Sequence, residues 1–222
     1  MNDALIVVAK QPVPGQTKTR LCPPLSPEQA ADLYRCLLLD TLALAARLDA
    51  ADLVLAYTPL GARAYFRGLA PRLFRLLPQQ GAGLGERLAN ALAQQFDRGY
   101  QRAVIMNSDG PTLPLCYLEE AFSALGGADV TLGAGHDGGY YLIGMNRLHP
   151  ALFEGIAWST EQVVPQTLAT CRDLQLQVHL LPEWYDVDVA ADLDRLRREL
   201  DRDSTAAPRS AAFLLRAGLR AG

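Results

Sequence analysis

The residues best suited to chemistry are two lysines, three aspartates and a few glycine-rich turns. The chain's 21 cationic residues include lysine at only two places, Lys10 and Lys18. Both fall in the segment Lys10-Gln11-Pro12-Val13-Pro14-Gly15-Gln16-Thr17-Lys18-Thr19-Arg20. Lysine is a compact point charge on a flexible stem, unlike the planar guanidinium used elsewhere in the chain. Pro12 and Pro14 stiffen the backbone, Gly15 permits a turn that other residues resist, and Thr17 and Thr19 add hydroxyl donors. With Arg20, three cations could fold around a diphosphate or triphosphate; a solvated turn is the alternative. The G-x-x-x-x-G-K-[ST] spacing is absent, and no G-x-G-x-x-G follows the first strand, so neither a Walker loop nor a dinucleotide fingerprint is present.

Asp109 follows an apolar strand directly, in Ser108-Asp109-Gly110-Pro111. A carboxylate held there by a stiff turn suits Mg²⁺ or Mn²⁺, which take carboxylate and phosphate oxygens. Asp186 and Asp188 lie on one side of the chain if their segment is extended, and at least one could join Asp109 on the metal. The competing readings are an Asx-turn for Asp109 and a helix cap for Asp188. Asp137-Gly138-Gly139 joins two strands and could bring backbone close to a substrate, or could be a plain hairpin turn. Gly81-Ala82-Gly83-Leu84-Gly85-Glu86-Arg87 opens a helix whose free N–H groups could meet a base or an anion. Trp158-Ser159-Thr160 opens another; Trp158 reads as packing.

Strands and helices must position these groups. Apolar strands are expected at Ala4–Ala9, Asp52–Tyr57, Phe74–Leu77, Ala103–Met106, Asp129–Leu132, Tyr140–Met145 and Gln177–Leu181. Helices are expected from a Ser26/Gln29 capping box to about Leu48, at Leu84–Tyr100, from Pro114 to about Leu125, from a Ser159/Gln162 cap onward, and at Ala190–Leu200. The alternation predicts a three-layer α/β/α sandwich with a mainly parallel mixed sheet, Rossmann-like in its layering. In such a sheet, ligands sit beyond the carboxyl ends of the strands, which is where the segments above fall. One domain over residues 1–200 is expected. Residues 201–222 form a tail with a possible short helix at Ala211–Leu219.

The composition narrows the function classes. With 222 residues, half of them hydrophobic, and a net charge of −3, the chain can build a full core. The weak acidity and lack of a basic cluster argue against nucleic-acid binding. No apolar run approaches the roughly 20 residues of a membrane span, and the start Met1-Asn2-Asp3 lacks a basic leader, so a cytoplasmic location is expected. Cys22, Cys36, Cys116 and Cys171 form no C-x-x-C pair, and His136, His149 and His179 show no ligand spacing. The oligomeric state is left open.

Five motifs in order resemble a known family: Lys10-x-Pro12-x-Pro14-Gly15-x-x-Lys18-Thr19-Arg20-Leu21, Ser108-Asp109-x-Pro111, Asp137-Gly138-Gly139-Tyr140-Tyr141-Leu142-Ile143-Gly144, Trp158-Ser159-Thr160 and Asp186-Val187-Asp188-x-x-x-Asp192-Leu193. Over roughly residues 1–200 the chain resembles the bacterial selenodomain-associated, glycosyltransferase-like transferases. These are similar to 2-phospho-lactate guanylyltransferase and share the nucleotide-diphospho-sugar transferase (GT-A) fold. The resemblance implies that Lys10, Pro14, Gly15, Lys18, Thr19, Arg20, Gly85 and Arg87 bind nucleotide or phosphate. It implies Asp109, with Asp186 or Asp188, as ligands of Mg²⁺ or Mn²⁺, and Asp137, Gly138, Gly139 and Ser159 as substrate-binding residues. Lys10, Lys18 and Asp109 would be catalytic. The sequence departs from the pattern at Asn107, where glycine is usual, and at Gly83, where aspartate is expected.

The implied activity is metal-dependent transfer of a nucleotidyl group from an NTP to a small, phosphorylated acceptor. Glycosyl transfer from an NDP-sugar on the same fold, and nucleotide binding without turnover, are the alternatives.

Overall fold

The computed structural model describes residues 2–218. Seven strands form one sheet: β1 (Asp3–Lys10), β2 (Asp52–Thr58), β3 (Arg75–Pro78), β4 (Arg102–Met106), β5 (Val130–Gly135), β6 (Tyr140–Met145) and β7 (Val178–Trp184). Their order is β3-β2-β1-β4-β6-β5-β7. β6 pairs antiparallel with both β4 and β5, and the other pairings are parallel. This is the mixed, mostly parallel sheet expected from the alternation of elements.

Among the described residues seven α-helices flank it: α1 (Pro27–Ala45), α2 (Arg63–Leu69), α3 (Leu84–Phe96), α4 (Leu115–Ala124), α5 (Val163–Asp173), α6 (Ala190–Arg202) and α7 (Pro208–Arg216). The capping box of α1 forms as its residues dictate: Gln29 N donates to Ser26 Oγ at 3.2 Å, and Ser26 N donates to Gln29 Oε1 at 2.9 Å. Ala4, Leu5, Ile6 and Val7 of β1 are fully buried, as a central strand covered on both faces requires.

One face of the sheet packs on Leu38 and Leu42 of α1, Phe66 of α2, and Leu118 and Phe122 of α4. The other packs on Leu88 and Leu92 of α3 and on Val163 and Cys171 of α5. A third cluster joins Leu33 and Leu37 of α1 to Leu193 and Leu196 of α6 and Phe213 of α7.

Several expectations shift. Helix α2 has no counterpart among the expected elements; its seven residues carry too short a period to register. The helix expected from Ser159 starts at Val163 instead. Ser159 takes a left-handed φ of 65°, outside the right-handed helical region, and the chain turns once more before α5 begins. Thr160 organises that turn, its Oγ1 donating to Ala157 O at 2.7 Å and accepting from Gln162 N at 3.2 Å. Helix α3 ends at Phe96 rather than Tyr100. The border drawn at residue 200 falls inside α6, and the tail helix runs over Pro208–Arg216; Leu219, its expected end, lies outside the described residues.

Helix α7 is anchored. The side chain of Asp40 on α1 is fully buried and accepts from Ser210 N and Oγ, both at 2.8 Å, and from Arg209 N at 3.3 Å and Nη1 at 3.2 Å. Among the described residues no helix is long and apolar enough to cross a membrane.

Candidate active site at the strand ends

β1 runs straight into the Lys10–Arg20 loop. The loop is built around Thr17, whose Oγ1 accepts from Val13 N at 3.0 Å and sits 3.4 Å from Gln11 O. Thr17 is buried, so its hydroxyl is spent inside the loop rather than offered to a ligand. Gly15 has φ 71°, the turn that glycine was expected to permit, beside the exposed Pro14. Lys10 is exposed, and its Nζ donates to Gln16 O at 2.8 Å, across the loop. Lys18 has φ 51°, a left-handed conformation that costs a non-glycine residue about 1 kcal/mol or more. That geometry turns its side chain inward, where only 9% remains exposed.

Lys18 Nζ makes a close ion pair with Asp109 Oδ2 and lies 3.4 Å from Asp188 Oδ1. Arg20 Nη1 donates to Asp188 Oδ2 at 2.6 Å from a largely exposed position. Burial disfavours the Lys18 charge, but the combined pull of Asp109, Asp188 and Asp186 outweighs it and holds the ammonium well above its ordinary range. Thr19 opens the short 3₁₀ turn that carries Arg20.

The acids are held from below. Val187 N donates to Asp109 O at 3.0 Å, which locks the Asp186–Asp188 segment against the end of β4. Asp188 does not cap α6: Asp192 Oδ2 accepts from Asp188 N at 3.0 Å and Val189 N at 2.8 Å, which leaves the Asp188 carboxylate free for the two cations. Asp186 keeps a little residue surface, yet its carboxylate is enclosed by protein. Oδ2 accepts from Asn107 Nδ2 at 2.5 Å, while Oδ1 is shielded from solvent and has no partner. Burial, with the charge of Asp109 added, raises its carboxyl well above the usual range.

Asn107 also donates to Tyr140 O at 3.2 Å, so the residue marked as a departure from the family pattern fastens β4 to β6 beneath the acids. Tyr34 was not singled out in the sequence. Its hydroxyl shares a 2.7 Å hydrogen bond with Ser108 Oγ and accepts from Lys10 N at 3.1 Å, tying the first loop to the Asp109 turn. Burial and the nearby Asp109 push this phenol up to about 12. No spacing rule reaches from α1 to two loops, so only coordinates reveal it.

A cavity of about 650 Å³ opens beside this cluster. Arg20, Asp186 and Asp188 stand at one end; Asp137, Gly139, Tyr140, Trp158, Ser159 and Glu161 line the rest, over a floor of Val8, Leu84, Leu88 and Ile105. Trp158 therefore both packs, edge-on to Tyr140 at 6.2 Å, and faces the cavity.

Asp137-Gly138-Gly139 is a hairpin turn, with Gly139 N donating to Asp137 Oδ1 at 3.0 Å. Gly138, φ 82°, lacks room for a Cβ because the Glu161 backbone lies against it, so its glycine serves chain packing. Gly85 is likewise pressed against Phe153 O and the Trp158 indole, 2.7 Å from where a Cβ would stand to Nε1. Arg87 Nε donates to Gly81 O at 3.0 Å and braces its own loop. Gly85 and Arg87 were expected at nucleotide, and Gly138 at substrate; here all three are engaged with protein. A groove of similar size, about 670 Å³, lies between α6 and α7 and contains none of the expected site residues.

Three carboxylates supply the oxygen donors that Mg²⁺ or Mn²⁺ prefers, and the unpartnered Asp186 Oδ1 leaves acid charge uncompensated. Among the described residues, however, no three His, Cys, Asp or Glu side chains converge on one point for an ion; Lys18 stands between Asp109 and Asp188.

A mostly parallel sheet with acids, a buried amine and a cavity at its carboxyl rim defines a protein of the nucleotide-diphospho-sugar transferase-like class. The chain belongs to the family described as "Uncharacterized protein conserved in bacteria (DUF2064)", whose model matches residues 41–160. It is 35% identical to a Desulfovibrio desulfuricans G20 protein, provisionally described as a nucleotide-diphospho-sugar transferase. That crystal structure aligns over 100% of this chain and 99% of the other with a TM-score of 0.90.

The fold also matches Rv0371c of Mycobacterium tuberculosis H37Rv in complex with manganese (18% identity, 90% and 98% of the two chains, TM-score 0.54). A third match is CMP:2-keto-3-deoxy-manno-octonic acid synthetase complexed with CTP (10% identity, 91% and 100%, TM-score 0.58). No curated protein matches the sequence. These matches agree with the superfamily named from the motifs and do not reach 2-phospho-lactate guanylyltransferase.

Proposed function

We propose that this protein transfers a nucleotidyl group from an NTP to a small acceptor, with a divalent ion held at Asp109 and Asp188. The observation that carries this reading is the buried Lys18 ammonium seated between those two carboxylates, beside the cavity that Asp188 and Arg20 line. Amine, acids and cavity there form the juxtaposition that phosphoryl-centre chemistry requires, which is positioning and charge rather than a protein nucleophile. The CTP complex and the manganese complex of the two distant relatives support nucleotide and metal as the class of ligand.

When bound, the ion would neutralise phosphate charge as a Lewis acid. In this reading Lys18 leaves the carboxylates for the phosphate oxygens, and Arg20 and Lys10 approach from the same loop. An acceptor oxygen forms a bond to the α-phosphorus as the bond to the bridging oxygen breaks, and pyrophosphate leaves with that electron pair. The proton of a hydroxyl acceptor passes to solvent at the cavity mouth. Asp186, which lines the cavity beside Asp109, adds to the acid charge of the site. Binding to the ion is also open to it if Oδ1 turns outward.

The description of the Desulfovibrio relative favours a second reading, glycosyl transfer from an NDP-sugar. A thermal-shift panel of NTPs and NDP-sugars, each with and without Mg²⁺ or Mn²⁺, separates the two. NTP-selective, metal-dependent stabilisation that disappears in Asp109→Ala is the expected result. NDP-sugar selectivity would replace this reading with the second, and indifference to every nucleotide would reject both. Pyrophosphate release then distinguishes turnover from binding alone.

A further inference from the structure

Two polar atoms beside the acid rim are shielded from solvent, have no protein partner and are complementary in kind. Trp184 Nε1 is a donor only, and Asp186 Oδ1 is an acceptor when its carboxyl is ionised. Leaving either one buried and unpaired is costly. Both residues line one small cavity of about 10 Å³, with Gly110 and the apolar Met106 and Leu113 around them. A Cβ on Gly110 would stand 3.4 Å from Asp186 Oδ1 and 3.9 Å from Trp184 Cδ1, the indole carbon bonded to Nε1. The two side chains therefore close on the same spot beside Gly110.

Neighbouring donors are already spent. The Asn107 amide donates to Tyr140 O and Asp186 Oδ2, and the Tyr141 hydroxyl donates to Pro182 O. A cation at this spot is refused by the indole N–H, and an anion by the charge of Asp109, which reaches Asp186. What satisfies both atoms must accept from the N–H and also bond the carboxyl oxygen. Water does so in either state of the carboxyl, donating to the ionised form and accepting from the neutral one. A cavity of about 10 Å³ is the room that one such molecule takes.

We propose that this small cavity binds one water molecule, which bridges Trp184 Nε1 and Asp186 Oδ1 and makes Trp184 a positioning residue for the acid rim. The Trp184 ring is itself held, edge-on to Tyr117 of α4 at 5.8 Å and under the Arg195 guanidinium of α6 at 5.4 Å. Through the water, α4 and α6 set the direction of the Asp186 carboxylate. The bridge opposes the outward turn that ion binding by Asp186 would need. It is independent of the transfer reading and is tested without nucleotide.

A crystal structure of the full chain at about 1.8 Å resolution should show one density peak within about 3.2 Å of both atoms. In solution, the Trp184 indole proton should give an NMR cross-peak to water with the sign of dipolar contact rather than of exchange. The chain has two tryptophans, so Trp158→Phe assigns the signal. Gly110 has no left-handed φ, and Gly110→Ala puts a methyl where the water sits. It should abolish the density and the cross-peak, and lower Tm by about 3–6 °C because both polar atoms lose their partner. A dry cavity would instead be filled by the methyl, and Tm would rise. Trp184→Phe removes the donor, and in that background Gly110→Ala should cost about twofold less or better. Crowding against Tyr185 O, 3.3 Å from the methyl, would cost the same in both backgrounds.

No density between the two atoms, a Trp184 indole proton silent toward water, a higher Tm in Gly110→Ala, or full additivity of the two substitutions would each overturn the bridge. Failure of the transfer reading would appear instead in the nucleotide panel, where these variants take no part.

Discussion

Two aspartates with enclosed carboxylates, Asp40 and Asp186, are treated differently by the fold. Asp40, on α1, receives four donors from the start of α7, and both of its oxygens are engaged. Asp186, at the rim, receives one donor from Asn107, keeps an oxygen without a partner, and has its carboxyl pushed upward by burial and by Asp109. A buried carboxylate surrounded by donors holds chain segments together. One left short of donors beside other acids costs stability, and such a cost is retained where charge has work to do. The difference separates a structural junction from a chemical one without reference to any ligand.

The sharpest way to break the comparison is to remove one charge at each place. Asp40→Asn turns an amide toward the N–H groups of Arg209 and Ser210 and should cost about 2–4 kcal/mol, read as a lowered urea midpoint. Next in size, Lys18→Met leaves Asp109 and Asp188 facing each other without the amine. It should cost about 1–3 kcal/mol at pH 7, read as a lowered urea midpoint.

Asp186→Asn keeps the acceptor for Asn107 and removes the disfavoured charge, so it should raise stability by about 1 kcal/mol at pH 7. The sign follows from the raised carboxyl. Wild-type stability is intact below the unfolded value of about 3.9 and falls as pH rises toward the higher folded value, so the gap between the two proteins should close near pH 4. Urea midpoints across pH 4–8 check this, and a destabilised Asp186→Asn at pH 7 would erase the contrast. The smallest effect belongs to Arg20→Gln, an exposed cation, within about 0.5 kcal/mol by thermal melt.

Much of the frame was legible in the sequence because it is periodic or apolar. The continuous apolar run Ala4–Ala9 declared a doubly covered strand, and Ser26 with Gln29 declared the start of α1. The acids of the rim were legible for the same reason, since each directly follows or nearly follows a strand. What escaped detection depends on contacts distant in sequence. Tyr34 joins Lys10 to Ser108 across 24 and 74 positions, and Asp40 meets Ser210 across 170. The left-handed backbone at Ser159 and Lys18 was hidden because neither residue type advertises it. What the sequence could not show at Gly85 and Gly138 is the second demand on them: Trp158 and the Glu161 backbone lie where a Cβ would stand.

Helix α1 touches both junctions. Near its start Tyr34 meets Ser108 Oγ, two turns later Thr41 Oγ1 donates to Ser108 O at 3.3 Å, and between them Asp40 grips the last helix. A nick or truncation in the final stretch of the chain would therefore not be a distant trimming. It would slacken a rod on which the Ser108–Asp109 turn is hung, and the loss would be felt beside the cleft before the sheet itself gave way.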